Sequence, residues 1–394
     1  MKMSCFWIIL LIGSVVLTTA SAFNSLYVFG DGMCTTTNNA FPGKQYYGKR
    51  YTNGRTWVEV LAQRQGIGIS NNWSYYGHDS GPMATDVNHF TVPGDVAKDL
   101  FVVWAGDSDF VDFMYNNNLY PSLNTSSWNS AINSSLNNYY NIITNLYAKG
   151  VRTLILPNTV DITEIPAFNQ SGASAKSFVR GRVVYFNTNL LATVSRAHTT
   201  CPGLTVYVPN VFALLDNVIT NAAYYGLTNM VMSGQPIDAY TYYTTNGITY
   251  CTTNNGMGTN FIFWDSTDPT AKMHEVLADT VQQFISPVQI TSLTQVNGSN
   301  RLDLVNLPVG LNGILDGCTN LTLGGWSSVT NFSSLAPAQS ISIAAPQLPF
   351  LPGGYGGNGS IFPGVPSTNE VTVTPVYYNS QFYRLRFPYA WNWP

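Results

Sequence analysis

The feature that most constrains the fold is an alternation of short apolar runs with longer helical stretches between residues 23 and 287. Apolar runs of strand length occur at residues 26–29, 100–104, 151–156, 204–208 and 261–264. Between them, helical segments are expected over residues 56–65, 127–148, 176–197 and 269–285. This order predicts an α/β fold with a mostly parallel sheet and helices on both of its faces.

Turns that contain aspartate follow three of the predicted strands, and they hold Asp31, Asp107 with Asp109, and Asp265 with Asp268. In open α/β sheets the ligand crevice lies at the carboxyl ends of the strands, so we expect these carboxyl groups to meet at one edge. Paired carboxylates can act on glycosidic bonds or bind a hard cation such as calcium. They can also cap backbone amides in their own turns, which is the commonest use of aspartate there.

After residue 287 the pattern changes to short alternating runs separated by Asn, Gly and Pro. This pattern predicts a small antiparallel β domain over residues 288–394, following the α/β domain of residues 23–287. Residues 346–366 are rich in Pro and Gly and are interpreted as a flexible insertion. The ending at residues 382–387 resembles the last strand of small β modules appended to secreted bacterial hydrolases.

Residues 1–22 have the pattern of a cleavable signal peptide. Lys2 supplies a positive charge, residues 6–17 are largely apolar, and Ala20-Ser21-Ala22 is a small-residue cleavage site. The apolar run is short for a membrane span, although an uncleaved anchor is the alternative interpretation. We therefore expect cleavage near Ala22, a secreted or extracytoplasmic protein, and no stable membrane insertion.

Charge and cysteine content exclude several classes of partner. Charged residues make up 9% of the chain and its net charge is −3, so nucleic acid and anionic membranes are not expected partners. Beyond the signal peptide the cysteines are Cys34, Cys201, Cys251 and Cys318, and we favour a disulfide between Cys201 and Cys251. No C-x-x-C spacing occurs, so we predict neither a metal nor a cofactor.

Four short blocks and one connecting segment resemble the GDSL (SGNH) lipase/esterase family. Residues 27–32 (YVFGDG) are similar to its F-G-D-S block, and residues 52–59 (TNGRTWVE) to the S-N-G-R-x-W-x-E segment that follows. Residues 72–77, 104–109 and 264–270 resemble the N-[YF]-A-x-G-G, W-x-G-x-N-D and W-D-x-x-H-P-T blocks. The resemblance implies a flavodoxin-like, three-layer SGNH-hydrolase fold, followed here by the small β domain.

The family's chemistry is acyl transfer by a serine, a histidine and an aspartate, assisted by oxyanion donors. Position by position, the resemblance places Gly32 where the nucleophilic serine stands and Asp268 where the histidine stands. Asp265 retains the orienting aspartate, Gly77 retains one oxyanion donor, and Ser108 replaces the asparagine donor. The nucleophile and the base are therefore both substituted, and the assignment as an enzyme stays open.

Loss of a triad nucleophile or base lowers turnover on the order of a million-fold, so ordinary serine-esterase activity is not expected. Two hypotheses follow for this secreted, lipase/esterase-like chain. In one, it is a non-catalytic protein whose crevice binds a small molecule, a carbohydrate or an acylated glycan, helped by tyrosine pairs such as Tyr75-Tyr76. In the other, it is a hydrolase that uses Asp265 or Asp268 as the general base for a water molecule.

Other side chains near the motifs can contribute to the pocket. Asp31 belongs to the first block, and His78 directly follows Gly77. The ring of His78 either projects into the crevice or lies in solvent as part of a turn. Cys34 is interpreted as a structural cysteine rather than a thiolate nucleophile, and His274 as a surface or packing residue.

Overall fold

The computed structural model describes residues 22–36, 46–116, 124–227, 231–232, 235–247, 258–318, 325–344 and 382–388. Three predictions fall outside these ranges. They are the signal peptide before residue 22, the pairing of Cys201 with Cys251, and the flexible insertion at residues 346–366.

A five-stranded parallel sheet forms the centre of the α/β region, in the order β2-β1-β3-β4-β5. Its strands are β1 Ser25–Gly30, β2 Gly68–Asn72, β3 Leu100–Trp104, β4 Thr153–Ile155 and β5 Thr205–Tyr207. Every residue of β3 is buried, which explains its uninterrupted apolar sequence Leu-Phe-Val-Val-Trp. The predicted α/β class with a parallel sheet is confirmed.

Helices cover both faces of this sheet. They are α1 Trp57–Gln65, α2 Ser80–His89, α3 Gly106–Asn116, α4 Thr125–Ala148, α5 Ala173–Thr200, α6 Val211–Thr220, α7 Ala239–Thr245 and α8 Ala271–Ile285. Helix α1 packs against α8, while α4 packs against both α2 and α5. Local signals fix the ends of α1, which begins with a capping box between Thr56 and Glu59 and ends at Gly66 in the left-handed conformation. No described helix combines the length and apolar character that a membrane crossing requires.

The sequence prediction was wrong at one strand of the sheet. Residues 261–264 are buried, but they form only isolated bridges, from Phe263 to Asp238 and to Pro269. The fifth strand of the sheet is instead β2, which was not predicted because its sequence Gly-Ile-Ser-Asn-Asn has little apolar character. Helix α8 also begins later than predicted, because the side chain of Thr270 caps it and Pro269 precedes the cap.

Beyond α8 the chain forms antiparallel sheets, as predicted. One has the order β12-β9-β8 and the other β11-β10-β13, while β6 Val231–Met232 and β7 Gln235–Pro236 pair separately within the α/β region. The strands are β8 Gln289–Val296, β9 Ser299–Val305, β10 Asn312–Cys318, β11 Ser327–Ser333, β12 Ala338–Ala344 and β13 Phe382–Arg386. These sheets enclose a small apolar core of their own. The boundary between residues 287 and 288 remains a prediction.

A buried arginine connects the two regions. Arg64 at the end of α1 forms an ion pair with Asp279 of α8, with 2.7 Å between Nε and Oδ1. The carbonyl of Arg64 accepts a hydrogen bond from the amide of Val309. The guanidinium of Arg64 donates from Nη1 to the carbonyl oxygen of Val309, at 3.3 Å. The β region is therefore attached to the helices that cover one face of the parallel sheet.

Candidate active site

The candidate site begins where β1 ends. Asp31 follows this strand, and its Oδ1 accepts a hydrogen bond of 3.0 Å from the amide of Met33, which caps a short 3₁₀ turn at Gly32–Cys34. The amide of Asp31 donates to the carbonyl of Trp104, joining the ends of β1 and β3. Burial raises the pKa of the Asp31 carboxyl to about 7, so much of it is protonated at neutral pH.

Gly32 occupies the nucleophile position and leaves room for a side chain. A Cβ atom built on Gly32 would lie 3.5 Å from ring carbons of Tyr51 and Tyr76 and 3.6 Å from Oδ1 of Asp268. These are ordinary van der Waals distances. The residue at the histidine position therefore does face the residue at the serine position, although neither can perform the family's role.

A hydrogen-bonded turn holds the two carboxyl groups of the last block. Oδ1 of Asp265 accepts hydrogen bonds from the amides of Thr267 and Asp268, at 3.0 and 2.9 Å, and Oδ2 accepts the phenol of Tyr46 at 3.0 Å. Burial, with the neighbouring charges of Asp265 and Asp31, raises the pKa of Asp268 well above its ordinary value. The neighbouring carboxyl groups therefore add to an upward shift that burial dominates, and both effects favour the protonated form of Asp268.

The two positions aligned with oxyanion donors differ in what they can offer. Gly77 has a φ of 70° and lines the cavity beside Gly32. Ser108 lines the same cavity, but its hydroxyl bonds to the carboxyl of Asp79. Burial, with Asp112 and Asp109 nearby, raises the pKa of Asp79 to about 7. The hydroxyl of Ser108 is therefore already hydrogen-bonded to a carboxyl group, so it is not available only as a donor to a ligand.

His78 does not belong to the pocket, so both interpretations of its ring were wrong. The side chain is fully buried, with Nδ1 2.9 Å from the carbonyl oxygen of Gly30 and Nε2 3.1 Å from Oδ2 of Asp86. The ring also stacks on that of Tyr75, with 3.9 Å between the ring centroids. The turn at Gly77 directs it beneath β1, away from the crevice, and burial lowers its pKa.

Two further candidates have structural roles. Cys34 is completely buried, and burial raises the pKa of its thiol well above the ordinary value, which keeps it from acting as a thiolate nucleophile. His274 is buried on α8, where its Nδ1 accepts a hydrogen bond of 3.2 Å from the amide of Trp57. Burial and the charge of Arg50 lower the pKa of His274 to about 3, so its packing role is confirmed.

Two adjoining depressions form the crevice. The smaller has a volume of about 50 Å³ and is lined mainly by Asp31, Gly32, Gly77, Asp107, Ser108, Asp112 and Asp268. The wider has a volume of about 190 Å³ and is lined by Tyr51, Tyr76, Tyr115, Asp265, Ser266, Thr267 and Asp268. Tyr51, Tyr115 and Asp112 were not predicted, since no motif marks them. Within the described ranges, no group of three or more His, Cys, Asp or Glu side chains is arranged to hold a metal ion.

The parallel sheet, with its crevice at the ends of β1 and β3, has the α/β arrangement expected for an SGNH hydrolase. The family model described as GDSL-like Lipase/Acylhydrolase matches residues 26–281, which is more than half of the chain. The chain therefore belongs to the GDSL lipase/acylhydrolase family, as the sequence motifs indicated.

Known relatives of this chain carry the same family description. A GDSL esterase/lipase of Arabidopsis thaliana is 23% identical over 339 residues, covering 69% of this chain and 86% of the relative. A second from the same plant is 29% identical over 218 residues, covering 54% of this chain and 61% of the relative. The lipase Lip_vut3 from a goat rumen metagenome is 10% identical, with a TM-score of 0.40 over 66% of this chain and 97% of its own.

Proposed function

We propose that this chain is a carbohydrate-binding member of the GDSL family that does not hydrolyse esters through a serine acyl-enzyme. The observation that carries this proposal is the environment of Gly32. Its position faces the position of the family's base, yet it offers no nucleophilic atom. The rings of Tyr51 and Tyr76 border the space where a nucleophile would stand.

No neighbouring group among the described residues replaces the missing pair. Burial raises the pKa of the Asp268 carboxyl well above its ordinary value, and a carboxyl group that keeps its proton cannot act as a general base. The thiol of Cys34 is buried, and the hydroxyl of Ser108 bonds to Asp79. Since loss of a triad nucleophile alone lowers turnover about a million-fold, ester hydrolysis by this route is removed.

Tyrosines give the wider depression a surface suited to sugar rings. Tyr76 is 52% exposed and Tyr115 is 44% exposed, although each lies beside buried carboxyl groups. Tyr51 supports Tyr76 by stacking on it, with 5.2 Å between ring centroids and 24° between planes. A few flat aromatic faces with hydroxyl and carboxyl groups around them suit a ligand that has apolar ring faces and a polar edge.

Two measurements test this function together. The purified protein is assayed on short-chain p-nitrophenyl esters beside a variant that carries Gly32→Ser, Ser108→Asn and Asp268→His. We expect the natural protein to be inert and the variant to gain activity, because a side chain at residue 32 fits the available space. Ester hydrolysis by the natural protein would overturn the proposal.

Carbohydrate binding is measured by calorimetry with a panel of neutral oligosaccharides. Tyr76→Ala removes the exposed ring of the depression, and Tyr224→Ala is the matched control because Tyr224 is 53% exposed outside it. Binding that is lost with the first variant and kept with the second supports the proposal. If no oligosaccharide of the panel binds, the proposal is contradicted.

A second candidate function is hydrolysis by a carboxylate, and the position of Asp268 beside Gly32 favours it. The raised pKa fixes the direction of the test. Only the ionised form can activate water, so such activity must rise as the pH increases through the pKa of Asp268. Ester hydrolysis that follows this pH profile and disappears in Asp268→Asn would establish this alternative.

Export of the chain is part of the proposed function. The charged, apolar and small-residue segments of residues 1–22 support a cleaved signal peptide. Expression with the natural leader in a secretory host, followed by mass spectrometry of the N-terminus, tests this. A mature protein in the medium that begins near Phe23 is expected, and an intact leader on cell-retained protein would contradict it.

A further inference from the structure

The smaller depression of the crevice is acidic and has no compensating charge in its lining. Four aspartates, Asp31, Asp107, Asp112 and Asp268, contribute to a cavity of about 50 Å³. None of the described residues that line this cavity is a lysine, an arginine or a histidine. Burial raises the pKa of each of these four carboxyl groups, and repulsion from Asp31 contributes to the shifts of Asp107 and Asp268.

Asp107 supplies a separate observation that points to a ligand. Its side chain is only 6% exposed, and Oδ1 accepts a hydrogen bond of 3.0 Å from the amide of Val160. Oδ2 is buried and has no hydrogen-bond partner among the described residues. Buried polar atoms are almost always paired, so an atom left unpaired beside a cavity marks the place of a missing partner.

The two depressions are continuous in their lining. Tyr76, Thr267 and Asp268 border both of them, so a ligand resting on the tyrosines can extend one group toward Asp107. A water-sized group needs about 10–15 Å³, so the smaller cavity accommodates on the order of four such groups. This space fits one polar substituent and a few water molecules, and it excludes a second sugar ring.

Resting on the carbohydrate-binding function proposed above, we infer that the ligand is an amino sugar whose primary ammonium group enters the acidic cavity between Asp107 and Asp268. An ammonium group has three donors and no acceptor, whereas ionised carboxyl groups only accept. The ring of Tyr76 adds a favourable face for a cation near the entrance. A neutral sugar of the same size would leave Oδ2 of Asp107 without a charged partner.

The surroundings of these carboxyl groups determine how binding depends on pH. The carboxyl group of Asp268 faces those of Asp265 and Asp31, and the carboxyl group of Asp107 also faces that of Asp31. Four phenols lie near Asp265 and Asp268, namely those of Tyr46, Tyr51, Tyr76 and Tyr115. All of these groups are acids. The ammonium ligand must displace a proton to meet an ionised carboxylate, so its affinity is expected to increase as the pH rises toward the raised pKa values of these groups, as long as the amine stays protonated. The affinity of a neutral sugar lacks this dependence.

The test compares three oligosaccharides of equal length that differ only at C2 of each ring. Glucosamine oligomers carry an ammonium group there, N-acetylglucosamine oligomers an acetamide and glucose oligomers a hydroxyl. By calorimetry at pH 7 we expect the glucosamine oligomer to bind about tenfold more tightly than the glucose oligomer, as one charge-assisted hydrogen bond would provide. Asp107→Asn keeps the acceptor for Val160 and is expected to abolish this preference.

Controls separate this inference from the function on which it rests. Asp95→Asn removes an exposed charge outside the crevice and is expected to leave the preference intact, which excludes a general electrostatic effect. If Asp107→Asn does not fold, Asp268→Asn provides the same test at the other carboxyl group. Equal binding of the three oligomers overturns the amino-sugar inference and leaves the carbohydrate function standing, whereas failure of all three to bind overturns both.

Discussion

Replacing Asp31 by asparagine tests the electrostatics of the site through protein stability. The side chain is 5% exposed, and its pKa rises from 3.8 to about 7, mainly because of burial. Asparagine has nearly the same shape and keeps an acceptor for the amide of Met33, but it cannot ionise. The substitution therefore removes a titration while preserving the cap of the 3₁₀ turn.

The magnitude follows from the difference between folded and unfolded chains. Between pH 4 and pH 7 the unfolded chain releases the proton of Asp31 while the folded chain retains it. The free energy of unfolding therefore decreases as the pH rises through this window. A pKa moved from 3.8 to about 7 corresponds at most to roughly 4 kcal/mol. Asp31→Asn lacks this loss, so we expect it to exceed the stability of the natural protein by about 1 kcal/mol at pH 4.5 and by about 2–4 kcal/mol at pH 8.

Urea unfolding followed by circular dichroism at pH 4.5 and pH 8 measures this difference. Because burial lowers the pKa of His274, the free energy of unfolding also decreases as the pH falls below 6.5. This contribution is the same in both proteins, so it cancels from the difference between them. Asp303→Asn is a control of opposite sign. Hydrogen bonds from Ser292 and Ser340 lower the pKa of Asp303 to about 2, so its loss is expected to destabilise the protein at pH 8. A stability difference for Asp31→Asn that is the same at both pH values would refute the reasoning.

Two further predictions concern packing. Arg64→Met leaves the Asp279 carboxyl buried without its partner, so we expect a loss of about 3–5 kcal/mol at pH 8 in urea unfolding. Asp279→Leu added to it is expected to recover most of that loss, and no recovery would contradict the ion-pair explanation. Gly32→Ala is expected to change stability by less than about 1 kcal/mol, because the added carbon meets no atom closer than 3.5 Å. Gly313→Ala is expected to cost about 1–3 kcal/mol in thermal unfolding, because its added carbon would lie 2.8 Å from the ring of Phe387; equal effects of the two substitutions would disprove the steric argument.

Apolar patterning predicted four of the five strands of the parallel sheet and missed β2, whose sequence is mostly polar. Strands β1 and β3 are almost completely buried, and their sequences are nearly continuous apolar runs. Strand β2 is an edge strand with largely exposed residues, so its sequence carries no such signal. Residues 261–264 were mistaken for a strand because they are equally buried, yet their backbone bonds go to α7 and to the turn before α8.

The order of the motifs predicted which residues meet in the crevice, but it did not predict the direction of each side chain. Gly32 and Asp268 are brought together as the family resemblance implies. His78 lies next to a correctly placed glycine, but its direction depends on one positive φ that the sequence does not specify. Tyr51 and Tyr115 come from a loop and from the end of a helix, and their proximity depends on tertiary packing alone.

Asp265 stands at the family's orienting position but has a different partner from the one that the family's chemistry requires. Its oxygens accept two backbone amides and the phenol of Tyr46, so the turn that presents Asp268 to Gly32 is held by hydrogen bonds that need no histidine. In a serine esterase such a carboxylate stabilises a cationic imidazole as it takes the proton of the serine. Here the same carboxylate faces another acid, and the repulsion between them favours uptake of a proton or a cation. The proposed ammonium ligand would supply such a cation, and Gly32 offers no side chain that could act as a nucleophile.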